Sequence, residues 1–430
     1  MTSKDEFPGN HISRDLGQLC MGGVHLSEIA AQHGTPLYIY DFNRIKTKAN
    51  ALAQAIKKVS KNSRCFYAVK ALGNLSVIQA IHSQGLGMDV VSGGEIERAL
   101  AAGVKASDIV FSGVAKTTSE IELGIREGIA CFNIESPNEL DELIRLTLGS
   151  SRRINVALRI NPDVDGKTHA KINTGLAETK FGLSSNLAKS LAEKIIEIPT
   201  LSLSGVSCHI GSQILDLETI KSAALAMRSF AELLIKLGAP LRHVDMGGGL
   251  GVAYQPQDSL SVPSFQEWIE VARLAIPDKS VDLYLEPGRS IVADAGMLLS
   301  RVIDIKHGDK KKFAIIDAGM TELMRPALYD AYHHIAVVED VPSTERSTYT
   351  VVGPVCETSC WINTNITLPQ IRRGDLLAVM TTGAYGMSMA SNYNTRPRPA
   401  EVAIENSKTR IIRKKETLSS LWESERFDQL

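Results

Sequence analysis

Little in the chain marks it for a membrane, a disulfide scaffold or a nucleic acid. No apolar run approaches the ~20 residues a bilayer-crossing helix needs. Residues 1–18 are polar and mixed in charge, so they do not read as a secretory signal. The 47 Lys and Arg nearly balance 48 Asp and Glu, giving a net charge of −1. No field of one sign therefore favours nucleic acid or an acidic lipid surface. Cysteine is scarce, with six in 430 residues, and Cys65, Cys131 and Cys208 sit inside apolar runs. A thiol there behaves as a small hydrophobe; the set is not a disulfide framework and suits a reducing cytoplasm. The ten histidines are scattered with no Cys/His spacing for zinc, so no metal is expected. What remains, 44% hydrophobic and 22% charged, is an ordinary globular composition. The length allows one large barrel and a second domain.

The order of apolar runs fixes the expected architecture. After an opening run at 36–40, strand candidates fall at 64–69, 87–91, 108–111, 130–134, 154–160, 203–209, 242–246 and 281–285. Between them lie helical patterns such as Ile45, Ala49, Leu52, Ala53 and Ile56, spaced at three and four residues. Eight strands alternating with helices point to an α/β fold, a (β/α)₈ TIM-type barrel over 36–290. A doubly wound open sheet is the alternative that alternation alone leaves open. Beyond residue 295 short runs at 297–305, 312–317, 348–352, 375–380, 401–404 and 409–412 are divided by Pro, Gly and Asn. They predict an all-β domain over 291–430, ending in a charged helical tail from Glu416.

Polar and glycine-rich residues recur at the C-terminal ends of the barrel strands, the face where such barrels carry active sites. Lys70 follows strand one, Asp89 ends strand two and His209 ends strand six. Gly247, Gly248 and Gly249 follow strand seven, and Glu286, Gly288 and Arg289 follow strand eight. Taken alone, a lysine ending an apolar strand is more often a solvated cap. At a barrel mouth, partly desolvated, it can also condense with an aldehyde. The triple glycine could be a tight turn, yet barrels often bind phosphate in the loops after strands seven and eight. Two anion-ready loops on adjacent strands make phosphate the better reading. Glu286 could serve a protonated pyridine ring or a plain salt bridge, and His209 a ring face or an ordinary polar contact. In the β-domain, Cys356 beside Glu357, Arg325 near Tyr329, and Tyr385 in Gly383-Ala384-Tyr385-Gly386 each have a bland surface or core reading as well. The Cys356/Cys360 spacing, with no second pair, argues against a metal or redox site.

Together these segments resemble the fold-type III pyridoxal-phosphate (PLP) decarboxylases. The likeness rests on Tyr67-Ala68-Val69-Lys70-Ala71, Asp89-Val90-Val91-Ser92-Gly93-Gly94-Glu95, His209-Ile210-Gly211-Ser212-Gln213, Asp245-Met246-Gly247-Gly248-Gly249 and Glu286-Pro287-Gly288-Arg289, in that order. The resemblance implies a PLP barrel plus a β-domain that also takes in residues 1–35, in a homodimer whose active sites are shared across the interface. It implies Lys70 as cofactor anchor, with Asp89 among the cofactor contacts. It gives the phosphate to Gly247–Gly249, Gly288, Arg289, Ser212 and Tyr385, the ring nitrogen to Glu286 and the ring face to His209. Cys356 becomes the general acid. Arg289, Arg325, Tyr329, Tyr385 and Glu357 become the substrate contacts. Within the family, His169-Ala170-Lys171-Ile172-Asn173-Thr174-Gly175, Lys180-Phe181-Gly182, Arg325–Tyr329 followed by His333, and Cys356-Glu357-Thr358 are similar to the branch acting on meso-diaminopimelate. Branches acting on ornithine, lysine or arginine are the alternative. That diaminopimelate branch commonly carries Asp where this chain has Cys360.

Overall fold

The computed structural model describes Phe7 and residues 11–164, 180–340 and 345–425. The chain divides into two compact units. One comprises Lys46–Gly251 and Val262–Ser290; the other comprises the chain up to Ile45, Val252–Ser261 and everything from Ile291.

The first unit is a closed parallel barrel. Its strands one to eight are Arg64–Ala68, Gly87–Val90, Ile109–Phe111, Cys131–Ile134, Ile154–Arg159, Leu201–Ser207, His243–Asp245 and Asp282–Leu285. The ring closes where Tyr284 and Leu285 pair with Arg64 and Cys65. These segments are nearly continuous apolar runs because helices cover a parallel sheet outside while side chains fill it inside. The open-sheet alternative is thereby set aside. Inside, the His243 ring stacks on Tyr284 at 4.2 Å between centroids, and Tyr284 meets Phe66 at 5.1 Å. Gly205 is required there, since a Cβ would lie 2.1 Å from His243 Nε2. Burial pushes the His243 ring down to about 3, so it packs as a neutral aromatic. The helices start on side-chain caps: Ser92 accepts from Glu95 N–H, and Thr117 forms a reciprocal capping box with Glu120.

The second unit is β-rich, as expected, and does use the N-terminal segment. Its nine-stranded sheet runs Trp361–Pro369, Arg346–Val352, Lys312–Ile316, Gly296–His307, Leu37–Asp41, Ala400–Glu405, Lys408–Arg413. Leu376–Val379 pairs with both Gly296–His307 and Ile335–Val337. Three short strands, Ile12–Asp15, Gln18–Met21 and Val24–His25, form a separate sheet.

Two boundaries differ from expectation. The run expected at the start of the barrel domain is the strand Leu37–Asp41, which lies between Gly296–His307 and Ala400–Glu405 in the β-sheet. All five of its residues are buried, so its sequence has the same unbroken apolar texture as a barrel strand. Residues 252–261, inside the expected barrel span, also belong to the second unit. The charged tail forms only a 3₁₀ turn, Ser419–Leu421, among the described residues. Its charges lack a periodic apolar face that would hold a longer helix.

Candidate active site

The barrel unit gathers charge at the C-terminal ends of its strands. Lys70 sits in a 3₁₀ turn, Val69–Ala71, directly after strand one. Its Nζ donates to Asp89 Oδ2 at 3.1 Å, with the Asp89 side chain fully buried. The other oxygen, Asp89 Oδ1, is buried with no hydrogen-bond partner. Such an orphan acceptor is costly unless something else uses it.

Glu286 ends strand eight, facing the opposite wall of the ring. Its Oε1 lies 3.4 Å from both Asn133 Nδ2 and Ser112 Oγ. Burial, then the charges of Asp245 and Asp89, push its carboxyl well above the ordinary range, while Lys70 and Arg159 pull the other way. Asp245, at the end of strand seven, is raised by burial to about 7, although Gly247 N–H donates to its Oδ1 at 2.8 Å. The mouth therefore sets two buried acids of raised proton affinity, Glu286 and Asp245, near one lysine.

His209 follows strand six. Gly248 N–H donates to its Nδ1 at 3.3 Å, which places the ring proton on Nε2. Burial and the charges of Lys70 and Arg159 hold this imidazole well below its usual value, so it is neutral.

The two anion-ready loops are also in contact. Glu286 N–H donates to Gly247 O at 2.7 Å, and Gly247 adopts φ +65°. A Cβ on Gly248 would sit 2.2 Å from Glu286 O, so only glycine lets these backbones meet. Gly249 O accepts from Ile214 N–H at 2.8 Å, closing the loop onto the segment after His209. Arg289, buried, donates through Nη2 to Ser212 Oγ at 2.9 Å, and Gly288 packs on Ala68 and Ala71.

The β-unit holds the other candidates. Arg325 and Tyr329 begin and end a short helix, Arg325–Tyr329; Arg325 is buried and Tyr329 half-buried. Tyr385 is half-buried with φ +56°. Cys356 and Glu357 are exposed on a turn braced by two adjacent residues. Asn394 Oδ1 accepts from Cys356 N–H at 3.3 Å, and Tyr393 OH donates to Glu357 Oε1 at 2.7 Å. Cys360 is buried, its Sγ accepting from Met320 N–H at 3.4 Å. The 169–175 motif lies outside the described residues.

Sequence reasoning missed several participants. Asn133 and Ser112 carry no motif, and only barrel closure brings them to Glu286. The hydroxyls of Ser207 and Ser290 are buried without partners in the same unit. Asp245 was legible only as the start of a glycine motif.

A closed parallel barrel with a lysine, buried acids and paired glycine loops at its mouth defines a class, and residues 43–293 match the pyridoxal-dependent decarboxylase, pyridoxal binding domain. The chain is 42% identical over 410 residues to diaminopimelate decarboxylase of Zymomonas mobilis, covering 95% of this chain and 97% of that protein. The crystal structure of diaminopimelate decarboxylase from Helicobacter pylori complexed with L-lysine matches with TM-score 0.88 and 41% identity, covering 93% of this chain and 98% of that one. The enzyme from M. jannaschii in co-complex with L-lysine matches with TM-score 0.91 and 35% identity, covering 100% and 99%. The chain belongs to the pyridoxal-dependent decarboxylases, in the diaminopimelate decarboxylase family.

The family's cofactor is PLP, and the residues fit it. Lys70 offers an amine for an aldehyde, Glu286 a proton-bearing acid for a ring nitrogen, and Asp89 Oδ1 an unmet acceptor. Among the described residues no cluster of His, Cys, Asp and Glu is arranged to hold a metal. No described helix is long and apolar enough to cross a membrane.

Proposed function

We propose that the chain decarboxylates meso-2,6-diaminopimelate to L-lysine, the last step of lysine biosynthesis, with PLP held on Lys70. The observation that carries this reading is end-to-end similarity to diaminopimelate decarboxylases, at 42% identity over 95% of the chain. Bound PLP supplies an electron sink for the carbanion left when carbon dioxide departs. Everything else is the work of the chain's own residues.

Lys70 would anchor the cofactor, with Asp89 beside its Nζ. Gly247, Gly248, Gly249, Gly288, Arg289, Ser212 and Tyr385 would hold the phosphate. Backbone N–H groups and an arginine suit an anion. Glu286 would keep a proton at Oε1 or Oε2 for the ring nitrogen, which its upward shift favours. His209, neutral and oriented by Gly248, would present its flat face to the ring.

The same proposal divides the substrate between two chemistries. Arg325, with Arg289, Tyr329 and Tyr385, would receive carboxylate, since guanidinium binds it in bidentate fashion. Glu357 would receive the distal ammonium, and Cys356 Sγ would return a proton to the reacting carbon. In this reading Cys356 and Glu357 come from the partner subunit of a homodimer with shared active sites. A cytoplasmic setting is in keeping with the six unpaired cysteines.

Carbon dioxide release from meso-diaminopimelate, ornithine, lysine and arginine, measured with PLP present, tests the substrate. Diaminopimelate should exceed the others by at least ~100-fold in kcat/KM, the scale expected when a buried charged contact goes unmet. Turnover of ornithine with none of diaminopimelate would overturn the reading.

A further inference from the structure

Arg325 is in contact with a histidine. Its Nη1 meets His333 Nε2 at 2.9 Å, with both residues buried. A guanidinium only donates, so Nε2 must offer its lone pair. On the other side of the ring, His333 Nδ1 lies 2.9 Å from the carbonyl oxygen of Met380. A carbonyl only accepts, so Nδ1 must carry the hydrogen. These two contacts assign one neutral tautomer, protonated on Nδ1, without appeal to its titration.

The ring is itself fixed. Met380 N–H donates to His334 O at 2.8 Å, extending the pairing of Ile335–Val337 with Leu376–Val379. Asn363 Nδ2 donates to His333 O at 3.4 Å. Tyr254 closes the arrangement: its ring meets His333 edge-on at 5.2 Å between centroids and 85°. The Arg325 Cζ stands 4.8 Å from the same ring centroid. Arg325 is thus aimed in its plane by an imidazole and backed on its face by a phenol ring.

A carboxylate in place of His333 would neutralise Arg325 and compete with any anionic ligand. A neutral imidazole sets the guanidinium's direction and brings no negative charge of its own. We infer that His333 is a positioning residue that orients Arg325 toward the substrate's distal carboxylate, with Tyr254 as its backing. This rests on the proposed role of Arg325, and the test separates the two.

Purified holoenzyme variants His333→Asn and His333→Gln would be compared with Arg325→Ala. Asn retains a donor where Nδ1 stands and lacks the acceptor at Nε2; Gln can place its amide oxygen there. H333N should raise KM for meso-diaminopimelate about 10-fold, the scale of a lost hydrogen bond to a charged group, with kcat changed less than ~3-fold. Inhibition by L-lysine, which keeps the distal carboxylate after the other is lost as carbon dioxide, should weaken in parallel, whereas inhibition by 1,5-diaminopentane, which has no carboxylate, should not change. H333Q should recover most of the KM. An equal loss for L-lysine and 1,5-diaminopentane, or H333Q no better than H333N, would mean a merely structural histidine and would overturn the inference. If R325A loses diaminopimelate selectivity and H333N does not, the positioning role falls and the substrate reading stands. If R325A leaves selectivity intact, the substrate reading falls and takes this inference with it.

Discussion

The two units build their halves of the candidate chemistry by opposite means. In the barrel, Asp89, Asp245 and Glu286 are buried near Lys70, and burial raises the carboxyls of Asp245 and Glu286. In the β-unit, Cys356 and Glu357 are exposed, with Cys356 N–H bonded to Asn394 and the Glu357 carboxylate to Tyr393. Burial makes the first set rigid and electrostatically tuned, at a cost that bonds such as Gly247 N–H to Asp245 help to offset. The second set is accessible to water. The barrel mouth therefore has the properties of a prepared cofactor seat. The Cys356 turn has those of a group delivered to a reaction, and Arg325 is intermediate: buried, yet backed by a neutral ring.

That contrast can be broken or sharpened by substitution. Cys356→Ala removes an exposed thiol, so it should lower kcat by ~10²–10⁴-fold, the range for loss of a positioned general acid. Bound PLP, read from its absorbance, should stay at the wild-type level. Loss of the cofactor would put Cys356 in a structural role and remove the distinction between the two sets.

A smaller effect is expected from Asp245→Asn, which keeps an acceptor for Gly247 N–H and removes the titration. Asp245 is raised from 3.8 to about 7 in the folded protein. The folded state therefore binds more protons than the unfolded one between those values. The stability contributed by this group is complete below about 4 and is lost as pH rises through about 7. In cofactor-free protein, the Tm of the variant minus that of wild type should accordingly be larger at pH 8 than at pH 5, by ~2 °C or more. A constant difference across that range would show that Asp245 is not a proton-holding acid.

Much of this was legible in the sequence. The eight barrel strands are recognisable because each is a short apolar run, and Ile45, Ala49, Leu52, Ala53 and Ile56 are indeed buried along Phe42–Ile56. The motif residues of the mouth follow from their places at strand ends. Long-range pairing was not legible. Leu37–Asp41 has barrel-like texture because its neighbours in the β-sheet cover it completely. Trp361–Pro369 escaped notice because Asn363, Thr364 and Asn365 interrupt its apolar pattern, and its register against Arg346–Val352 is bulged. Asn133 and Ser112 have no local signature, since their meaning comes from a partner more than a hundred residues away. Tyr254 joins Arg325 only because the stretch after strand seven leaves the barrel unit.

The central claim is that the barrel-mouth lysine is the cofactor's anchor, and chemistry can read it directly. Holoenzyme would be treated with borohydride, digested with trypsin and sequenced by mass spectrometry. A modified Lys70 resists cleavage, so the label should appear on the single peptide running from Cys65 to Arg98, and Lys70→Ala should lose both the label and activity. A label on any other lysine, or full activity in Lys70→Ala, would contradict the account.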